Sequence, residues 1–313
     1  MQHRKIAFIG AGNMANAIIA GLVAHGYPAS MITVCSPTPV RRDKMAQDYG
    51  IISTHDNLTA AQQADVIVLA VKPQMMKDVC EPLQQLTNLE NKLVLTIAAG
   101  IPAARYNDYF AHSLHLVRIM PNTPSLVGKG VSGLFAQPNV TEGDKQFTQQ
   151  LMESVGSTTW CAKESDINNI IALTGSSPAY FFLFMESMQQ KAEQLGYDEK
   201  QARELVLNAI EGSVALAKSQ SDTPFSTLRE QVTSKGGTTA MALEQFYNGH
   251  LPQTVANAMQ SAIDRAEEME KLFNYFFGTR HADYRFCCYH PDPTVYLCAS
   301  ASSMDAMRSR RLL

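Results

Sequence analysis

The sequence has no excess of basic residues, no long apolar run and few cysteines, and each absence excludes a class of protein. Lys and Arg number 26 against 29 Asp and Glu, so no basic half of the chain is available to follow a nucleic-acid backbone. The densest apolar run, residues 179–185, ends at Glu186 and is far too short to span a bilayer. No charged segment followed by a long apolar stretch opens the chain, so we expect no secretory signal.

The six cysteines do not form a recognisable disulfide framework. Cys35, Cys80 and Cys161 are widely scattered, and the other three crowd the last segment at positions 287, 288 and 298. Scattered cysteines are typical of reduced thiols in a cytoplasmic protein. The composition therefore predicts a cytoplasmic protein without a nucleic-acid or membrane partner, long enough at 313 residues for two domains.

The most informative stretch lies near the N-terminus. A short apolar run at residues 6–9 ends at GAGNMA, residues 10–15, and a helical apolar pattern follows. Gly10 permits a sharp turn, Gly12 lets the backbone approach a pyrophosphate, and Ala15 is small enough for the helix to pack on the strand. The free N–H groups and the dipole at the start of a helix favour phosphate. We therefore predict a dinucleotide site here rather than a plain structural turn.

The end of the second predicted strand, residues 32–35, bears on the choice of cofactor. An NAD-preferring site usually has an acidic residue at this point, but no Asp or Glu occurs before Asp43. The segment instead offers the hydroxyls of Ser36 and Thr38 and the guanidinium groups of Arg41 and Arg42. These groups suit a 2′-phosphate, because arginine is a forked, permanently charged donor. The alternative is that the arginines only begin a solvated helix. We expect NADPH to be preferred, with NADH as a second donor.

Further short apolar runs predict a sheet that continues through the first half of the chain. Strands are expected at residues 51–54, 65–71, 92–96, 115–119, 131–136 and 157–160, with a helix at 141–154. Strands that alternate with helices make a doubly wound α/β sheet. The loops after three of these strands, residues 72–74, 98–100 and 120–124, would lie at the carboxyl edge and leave room for a nicotinamide ring. Each of them taken singly is also consistent with an ordinary turn.

From Asp166 onward the pattern becomes helical. Helices are predicted at residues 167–173, 178–195, 198–219, 226–232 and 252–272, with Ser177 and Asp198 as N-caps. The aromatic and methionine stripe within the second of them is typical of a core or a subunit interface. We predict a Rossmann-like domain at 1–161, an all-helical domain at 162–272 and an atypical tail at 273–313.

A second candidate binding segment precedes the last long helix. Residues 234–239 read SKGGTT, and a glycine pair before two threonines at a helix start makes a concave array of N–H and hydroxyl groups. Such an array binds a small anion, for which a carboxylate is a natural guest. Helix capping with nothing bound is the alternative, because threonine is an acceptable N-cap.

Five motifs together resemble the pyrroline-5-carboxylate reductase family. They occur in the family's order and spacing over residues 5–272: GAGNMA at 10–15, VKP at 71–73, MPNTP at 120–124, GSSPAY at 175–180 and GGTT at 236–239. Lys235 departs from the proline that most members carry, and Ser177 from a frequent glycine. Lys235 would place a positive charge near the substrate carboxylate.

The resemblance implies an N-terminal Rossmann-like domain and a helical domain that binds substrate and interlocks with a second subunit. It implies a homodimer, with decamers among relatives, and an NAD(P)H-dependent oxidoreductase that acts on a C=N bond in proline biosynthesis. The expected reaction reduces 1-pyrroline-5-carboxylate to L-proline. Hydride transfer to an imine requires no metal and no activated nucleophile, and residues 1–272 contain no convincing arrangement for either.

Site residues follow from the resemblance together with the two motifs. The substrate carboxylate would bind at Ser234, Gly237, Thr238 and Thr239, and the Thr239 hydroxyl is the candidate catalytic group that hydrogen-bonds the imine nitrogen. The expected cofactor-binding residues are Ile9, Gly10, Gly12, Asn13, Met14, Ala15, Ser36, Thr38, Arg41, Asn57, Ala70, Val71, Lys72, Pro73 and Ala98. No metal ligand is assigned.

Two other functions compete with this one. A β-hydroxyacid dehydrogenase also joins a Rossmann domain to helices, but it uses a lysine base in the first helix after the sheet, and residues 166–190 contain no lysine. A non-catalytic NADP-binding scaffold would keep residues 10–15 and have no need of residues 236–239.

The tail, residues 273–313, carries Cys287, Cys288, His290 and Cys298 without regular periodicity. Their spacing matches no standard zinc pattern. A disordered extension or a frame-shifted end is the favoured interpretation.

Overall fold

The first half of the chain forms one sheet in the computed structural model, which describes residues 3–275. The strands are β1 (Ile6–Ile9), β2 (Ile32–Cys35), β3 (Ile52–Thr54), β4 (Val66–Leu69), β5 (Leu93–Thr96), β6 (His115–Met120), β7 (Gly130–Ala136) and β8 (Gly156–Trp160). Their order is β3-β2-β1-β4-β5-β6-β7-β8. Strands β1 to β6 are parallel, β7 runs antiparallel to β6, and β8 is parallel to β7. The predicted doubly wound α/β sheet is confirmed.

Helices connect these strands. They are α1 (Asn13–Ala24), α2 (Pro39–Tyr49), α3 (Asn57–Gln63), α4 (Met76–Cys80), α5 (Ala103–Phe110) and α6 (Glu142–Glu153), with 3-10 turns at Ala29–Met31, Pro73–Met75, Glu81–Gln85, Leu89–Asn91 and Thr123–Val127. The chain moves in one direction from β1 to β3 and in the other from β4 to β6. Right-handed crossovers therefore place α1 and α2 on the opposite face from α3 and α5.

Strands β1, β4 and β5 are buried along their whole length, as expected for parallel strands covered on both faces. Phe8, Ile18, Val68 and Val117 belong to the central apolar cluster, which α1 and α6 join. The reversal of strand order falls between β1 and β4, which pair from Ile6 with Val66 to Ile9 with Leu69. Ligands of open α/β sheets bind at the carboxyl edge beside such a reversal.

A buried lysine lies at the amino ends of the parallel strands, opposite the carboxyl edge where ligands are expected. Lys92, just before β5, is only 7% exposed, and its Nζ donates to Gln62 O at 3.0 Å and to Ala64 O at 2.5 Å. These carbonyls lie at the end of α3, so the side chain satisfies groups that a helix C-terminus leaves unpaired. Burial lowers the pKa of Lys92, while Asp65 opposes that shift. The lysine is thus a structural cap that binds the end of α3 to β5.

We expect Lys92→Met to lower the free energy of unfolding by about 1–3 kcal/mol, because the carbonyls of Gln62 and Ala64 lose their donor. Urea unfolding at fixed protein concentration measures the change. Lys44→Met is the control, since Lys44 is exposed and pairs with Asp48 one helical turn away, and it should change stability by less than about 0.5 kcal/mol. Equal stabilities of the two variants would contradict the capping role.

The second part of the described chain is helical. It contains α7 (Asp166–Ile170), a π turn (Ile171–Gly175), α8 (Ser177–Gln194), α9 (Glu199–Ser219), α10 (Phe225–Gln231), α11 (Thr238–Asn248) and α12 (Leu251–Tyr275). Asp198 caps α9 as predicted, accepting from Gln201 N at 2.9 Å. Gly196 ends the preceding helix with a φ of +100°.

The sequence predicts a helix break at residues 175–178 with Ser177 as the N-cap of the next helix, and the structure differs from this prediction. Ser177 is not an N-cap: it lies inside α8, and Ser176 before it already has helical angles, φ −91° and ψ −25°. The chain passes from α7 to α8 through the π turn, in which Ser176 N donates to Ile171 O at 2.7 Å. A Cβ on Gly175 would lie 2.9 Å from Met120 Cε, so the turn packs closely against the side chain at the end of β6.

Residues 1–270 form one compact unit, and residues 271–313 form a second unit, of which the structure describes residues 271–275 as helical. The tail prediction therefore falls outside the described residues, except that 273–275 continue α12. Among the described residues, no helix has the length and apolarity needed to cross a membrane. The predicted domain boundary near residue 161 stays a prediction.

Candidate functional site

The turn after β1 is shaped by a close approach to β4. Gly10 has a φ of +117°, its N–H donates to Cys35 O at 2.8 Å, and an added Cβ would lie 2.5 Å from Ala70 O. Only glycine fits this position without moving the backbone of β4. Gly12 is the N-cap of α1, and Ala15 is completely buried against the sheet. The turn thus has the form that the motif predicts.

The start of α1 is open to an anion. Gly12 has extended angles, φ −80° and ψ 175°, and no side chain caps the helix. Among residues 3–275, Ala70 O, at 3.9 Å, is the one atom within 4 Å of a Cβ added to Gly12. The first N–H groups of a helix have no partner within it, and here they face the reversal of strand order. The residues present therefore fit a dinucleotide pyrophosphate.

The predicted contacts that follow β4 and β5 lie at the same edge. Ala70 N donates to Ile9 O at 2.8 Å, which ties the end of β4 to the end of β1. Lys72 is exposed, and Pro73 begins a 3-10 turn. After β5, Ala98 N donates to Thr96 Oγ1 at 3.4 Å, and that hydroxyl is 2.6 Å from the Tyr106 hydroxyl. The ends of β1, β4 and β5 thus bring the predicted residues of the nicotinamide side together.

Asn122 fixes the loop after β6, a role that pattern analysis missed. Its Oδ1 accepts from Val131 N at 2.8 Å, and its Nδ2 donates to Thr174 O at 2.9 Å in the π turn. The amide is buried, and it ties residues 120–124 to β7 and to the π turn that precedes residues 175–180. The signal was present in the MPNTP motif, but nothing in its spacing identified the partner of the amide.

The residues predicted to contact the cofactor ribose and its 2′-phosphate follow the end of β2. Thr38 occupies the N-cap position of α2 without a side-chain capping bond, and Arg41 is exposed in the first turn. Arg42, which the sequence groups with Arg41 as suited to a 2′-phosphate, donates from Nη1 to Ser36 O at 2.6 Å. Arg42 therefore holds the Ser36 loop in place, and Arg41 is the guanidinium exposed to a ligand.

Asn57 lies in the first turn of α3, next to its capping residue. Asp56 accepts hydrogen bonds from the Thr59 hydroxyl and from the N–H groups of Thr59 and Leu58, and these bonds lower the pKa of Asp56. The ionised cap is therefore fully present at neutral pH, and its contribution is lost as the pH falls through the lowered pKa. This cap places Asn57 near the end of β3.

The second predicted binding segment, residues 234–239, forms a tight turn into α11. Gly236 has a φ of +73°, Gly237 N donates to Ser234 O at 3.0 Å, and Gly237 is the N-cap of α11 without a side-chain capping bond. A Cβ on Gly237 would overlap Ser234 Oγ. The N–H groups of Thr238 and Thr239 are left for an external acceptor. No hydrogen bond within residues 3–275 joins this turn to the carboxyl edge of the sheet.

The described cysteines are not activated. Burial is the main cause that raises the pKa of Cys35 to about 11, and burial also raises the pKa of Cys80. Both side chains are therefore thiols at neutral pH, without nucleophilic character. Within residues 3–275, no group of three or more His, Cys, Asp or Glu side chains is arranged to hold a metal ion.

Two family models match the chain. The model for pyrroline-5-carboxylate reductase dimerisation matches residues 164–269, and the model for NADP oxidoreductase, coenzyme F420-dependent, matches residues 5–100. Among curated proteins, the pyrroline-5-carboxylate reductase of Vibrio alginolyticus is 58% identical over 273 residues, covering 87% of this chain and 100% of the relative. The Haemophilus influenzae reductase is 46% identical, with the same two coverages.

Solved structures agree. A pyrroline-5-carboxylate reductase from Coxiella burnetii is 38% identical with a TM-score of 0.80, covering 86% of this chain and 99% of its own. The Plasmodium falciparum enzyme, solved with NADP bound, is 28% identical with a TM-score of 0.78 and the same coverages. With relatives above 30% identity over most of its length, the chain belongs to the pyrroline-5-carboxylate reductase family.

Proposed function

We propose that this protein reduces 1-pyrroline-5-carboxylate to L-proline with NADPH, and with NADH as a second donor. Membership of the reductase family carries the proposal, because the similarity spans both the sheet and the helices. The turn at Gly10 supports it by fitting a pyrophosphate at the reversal of strand order.

The reaction needs positioning more than chemical activation from the protein. The dinucleotide supplies a hydride, which adds to the imine carbon while a proton is added to the nitrogen, so the C=N bond becomes a C–N bond. Gly10, Gly12 and the start of α1 would hold the pyrophosphate. Ala70, Val71 and Ala98 would border the nicotinamide side, with Asn122 fixing the neighbouring loop. Together these contacts would orient the two reactants at a reacting distance.

Residues 234–239 are our proposed site for the substrate carboxylate. The extended N-cap at Gly237 and the φ of +73° at Gly236 leave the first amides of α11 free to donate, which supports an anion there. Ser234 and Thr238 add hydroxyl donors, and the exposed Lys235 adds positive charge nearby. Thr239, in the first turn of α11, is our candidate to hydrogen-bond the imine nitrogen.

Steady-state oxidation of NADPH and NADH with pyrroline-5-carboxylate tests the function. Turnover with both donors, higher kcat/KM for NADPH and L-proline as product are expected. 3-Hydroxyisobutyrate serves as the competing substrate, and turnover with it alone would favour the β-hydroxyacid dehydrogenase. Cofactor binding without any substrate-dependent oxidation would favour the scaffold.

Arg41→Ala should raise the KM for NADPH about tenfold and leave the KM for NADH within about twofold, because only NADPH carries a 2′-phosphate. The same assay with both donors measures the effect. Lys44→Met, one turn along α2, is a control that removes a positive charge already paired with Asp48. Equal changes for the two donors would show that Arg41 does not contact the 2′-phosphate.

The helical region is expected to form a homodimer, in line with its match to the dimerisation model. The predicted aromatic stripe on α8 is not core within one chain, since Phe181 is 62% exposed and Phe184 is 42% exposed. Exposed apolar side chains of this size mark an interface. A decamer built from such dimers is the larger assembly we propose, and light scattering after size exclusion would measure it. The thiols Cys35 and Cys80 support a reducing, cytoplasmic location.

A further inference from the structure

The most deeply buried charge in the sheet belongs to Arg118 on β6. The residue is 2% exposed and lies two positions before the end of the strand. Its Nη1 donates to Glu164 Oε1 at 2.5 Å and to Glu270 Oε1 at 3.1 Å. Glu164 lies between β8 and α7, while Glu270 lies in α12. A single guanidinium therefore holds carboxylates from both ends of the helical region.

Two further bonds extend this group, which we name the Arg118 cluster: Arg118, Glu164, Asn168 and Glu270. Glu164 Oε1 also accepts from Ala103 N at 2.6 Å, at the first residue of α5. Asn168 Nδ2, in α7, donates to Glu270 Oε2 at 3.1 Å. The cluster thus connects the strand before the Asn122 loop and the helix after the Ala98 loop to α7 and α12.

The composition of the cluster argues against a role in stability alone. It places one cation against two carboxylates in a largely buried site, where the cost of desolvation offsets most of the attraction and apolar residues would serve as well. Arg118 Nη2 and Asn168 Oδ1 are buried without a hydrogen-bond partner among the described residues. What directional charged groups provide in such a place is one defined arrangement of the elements they join.

We propose that Arg118 is a positioning residue for hydride transfer. By holding Glu164 and Glu270, it fixes both ends of the helical region to the strand and helix that border the nicotinamide side of the site. This inference rests on the proposed function. Reaction rates fall steeply with small displacements of bound reactants, so loosening the cluster reduces kcat more than it reduces cofactor affinity.

The test compares Arg118→Met with Arg4→Met in the full-length protein. Arg4 Nη1 pairs with Asp144 Oδ1 at the same distance, 2.5 Å, and both side chains are largely buried, but that pair joins the N-terminus to α6. NADPH affinity is measured by fluorescence titration, turnover by NADPH oxidation and stability by thermal unfolding. Arg118→Met should lower kcat about tenfold or more, with the Kd for NADPH within about twofold of wild type.

The control should separate positioning from stability. Arg4→Met should lower the Tm and keep kcat within about twofold of wild type, and Arg118→Lys should restore part of the lost kcat, since a lysine can still pair with one carboxylate. The proposal is overturned if Arg118→Met keeps the wild-type kcat, or if it loses NADPH affinity to the same extent as kcat.

A gentler variant covers the case in which Arg118→Met does not fold. Glu270→Gln keeps the shape of the side chain and leaves Arg118 balanced by Glu164. It should lower kcat about threefold with unchanged Kd for NADPH, and a wild-type kcat would refute the role. Absence of pyrroline-5-carboxylate turnover in the wild type refutes the proposed function instead. Hydrogen exchange then decides the positioning role: faster exchange of residues 262–270 in Glu270→Gln than in Arg4→Met supports it, and equal exchange overturns it.

Discussion

Gly10→Ala is expected to abolish measurable NADPH-dependent turnover, with a loss of about 100-fold or more in kcat/KM. The φ of +117° at Gly10 is a conformation that residues with a Cβ rarely adopt, and the added carbon would lie 2.5 Å from the Ala70 carbonyl oxygen. The backbone strain costs about 1–3 kcal/mol. Relief of the overlap also requires β1 and β4 to separate at the point where the pyrophosphate is expected to bind. NADPH titration and thermal unfolding measure the two effects.

Two other glycines separate the causes. Gly26 has a φ of +83°, and no atom of the described part of the chain lies within 4 Å of an added Cβ, so Gly26→Ala should lower stability and leave NADPH affinity unchanged. Gly12 has an ordinary φ of −80° and room for a Cβ. Gly12→Ala should therefore fold normally and lose affinity, because the methyl group would occupy the place of the pyrophosphate. If Gly12→Ala binds NADPH as tightly as wild type, the proposed phosphate site is wrong.

Most of the sheet was predictable from local sequence because its buried strands are continuous apolar runs. The run containing β4 lies between Asp65 and Lys72, and all four residues of β4 are buried. The reversal of β7 relative to β6 was not predictable, because the direction of a strand depends on the connection that precedes it and not on its apolar pattern. The π turn at Ile171–Gly175 was missed because its signal, a Gly-Ser-Ser-Pro sequence, is equally typical of a helix break.

The candidate site also contains residues that local sequence predicts and residues whose role only the folded chain shows. Gly10, Gly12 and Ala15 were readable because each acts locally: Gly10 through its backbone conformation, Gly12 by leaving room for a ligand and Ala15 by its small size in the core. Arg118 was not assigned a role, although a charged residue within the apolar strand at 115–120 was a visible signal of a buried partner. Its partners Glu164 and Glu270 lie 46 and 152 residues away in sequence, so only the folded chain shows that one guanidinium serves both. Long-range ion pairs leave no periodic trace in a sequence.

Thr239→Val should lower kcat about 100-fold, because the imine nitrogen would lose the hydroxyl that we propose as its hydrogen-bond donor. Valine preserves the shape of threonine, and residue 239 follows the first position of α11, so the helix should remain folded. Steady-state kinetics with pyrroline-5-carboxylate, together with thermal unfolding of the variant, measure the effect and confirm that the protein is intact.

Thr238→Val is the matched control, since it changes the adjacent threonine in the same turn by the same atoms. Thr238 is proposed to contact only the carboxylate, so its variant should raise KM for the substrate severalfold and keep kcat within about twofold. If Thr239→Val behaves in this way too, Thr239 anchors the substrate and takes no part in protonation. The proton would then have to come from solvent, or the substrate would have to bind already protonated as the iminium, and the pH dependence of kcat in Thr239→Val would follow that of wild type. Divergence of the two pH profiles would instead assign the proton-transfer role to the Thr239 hydroxyl.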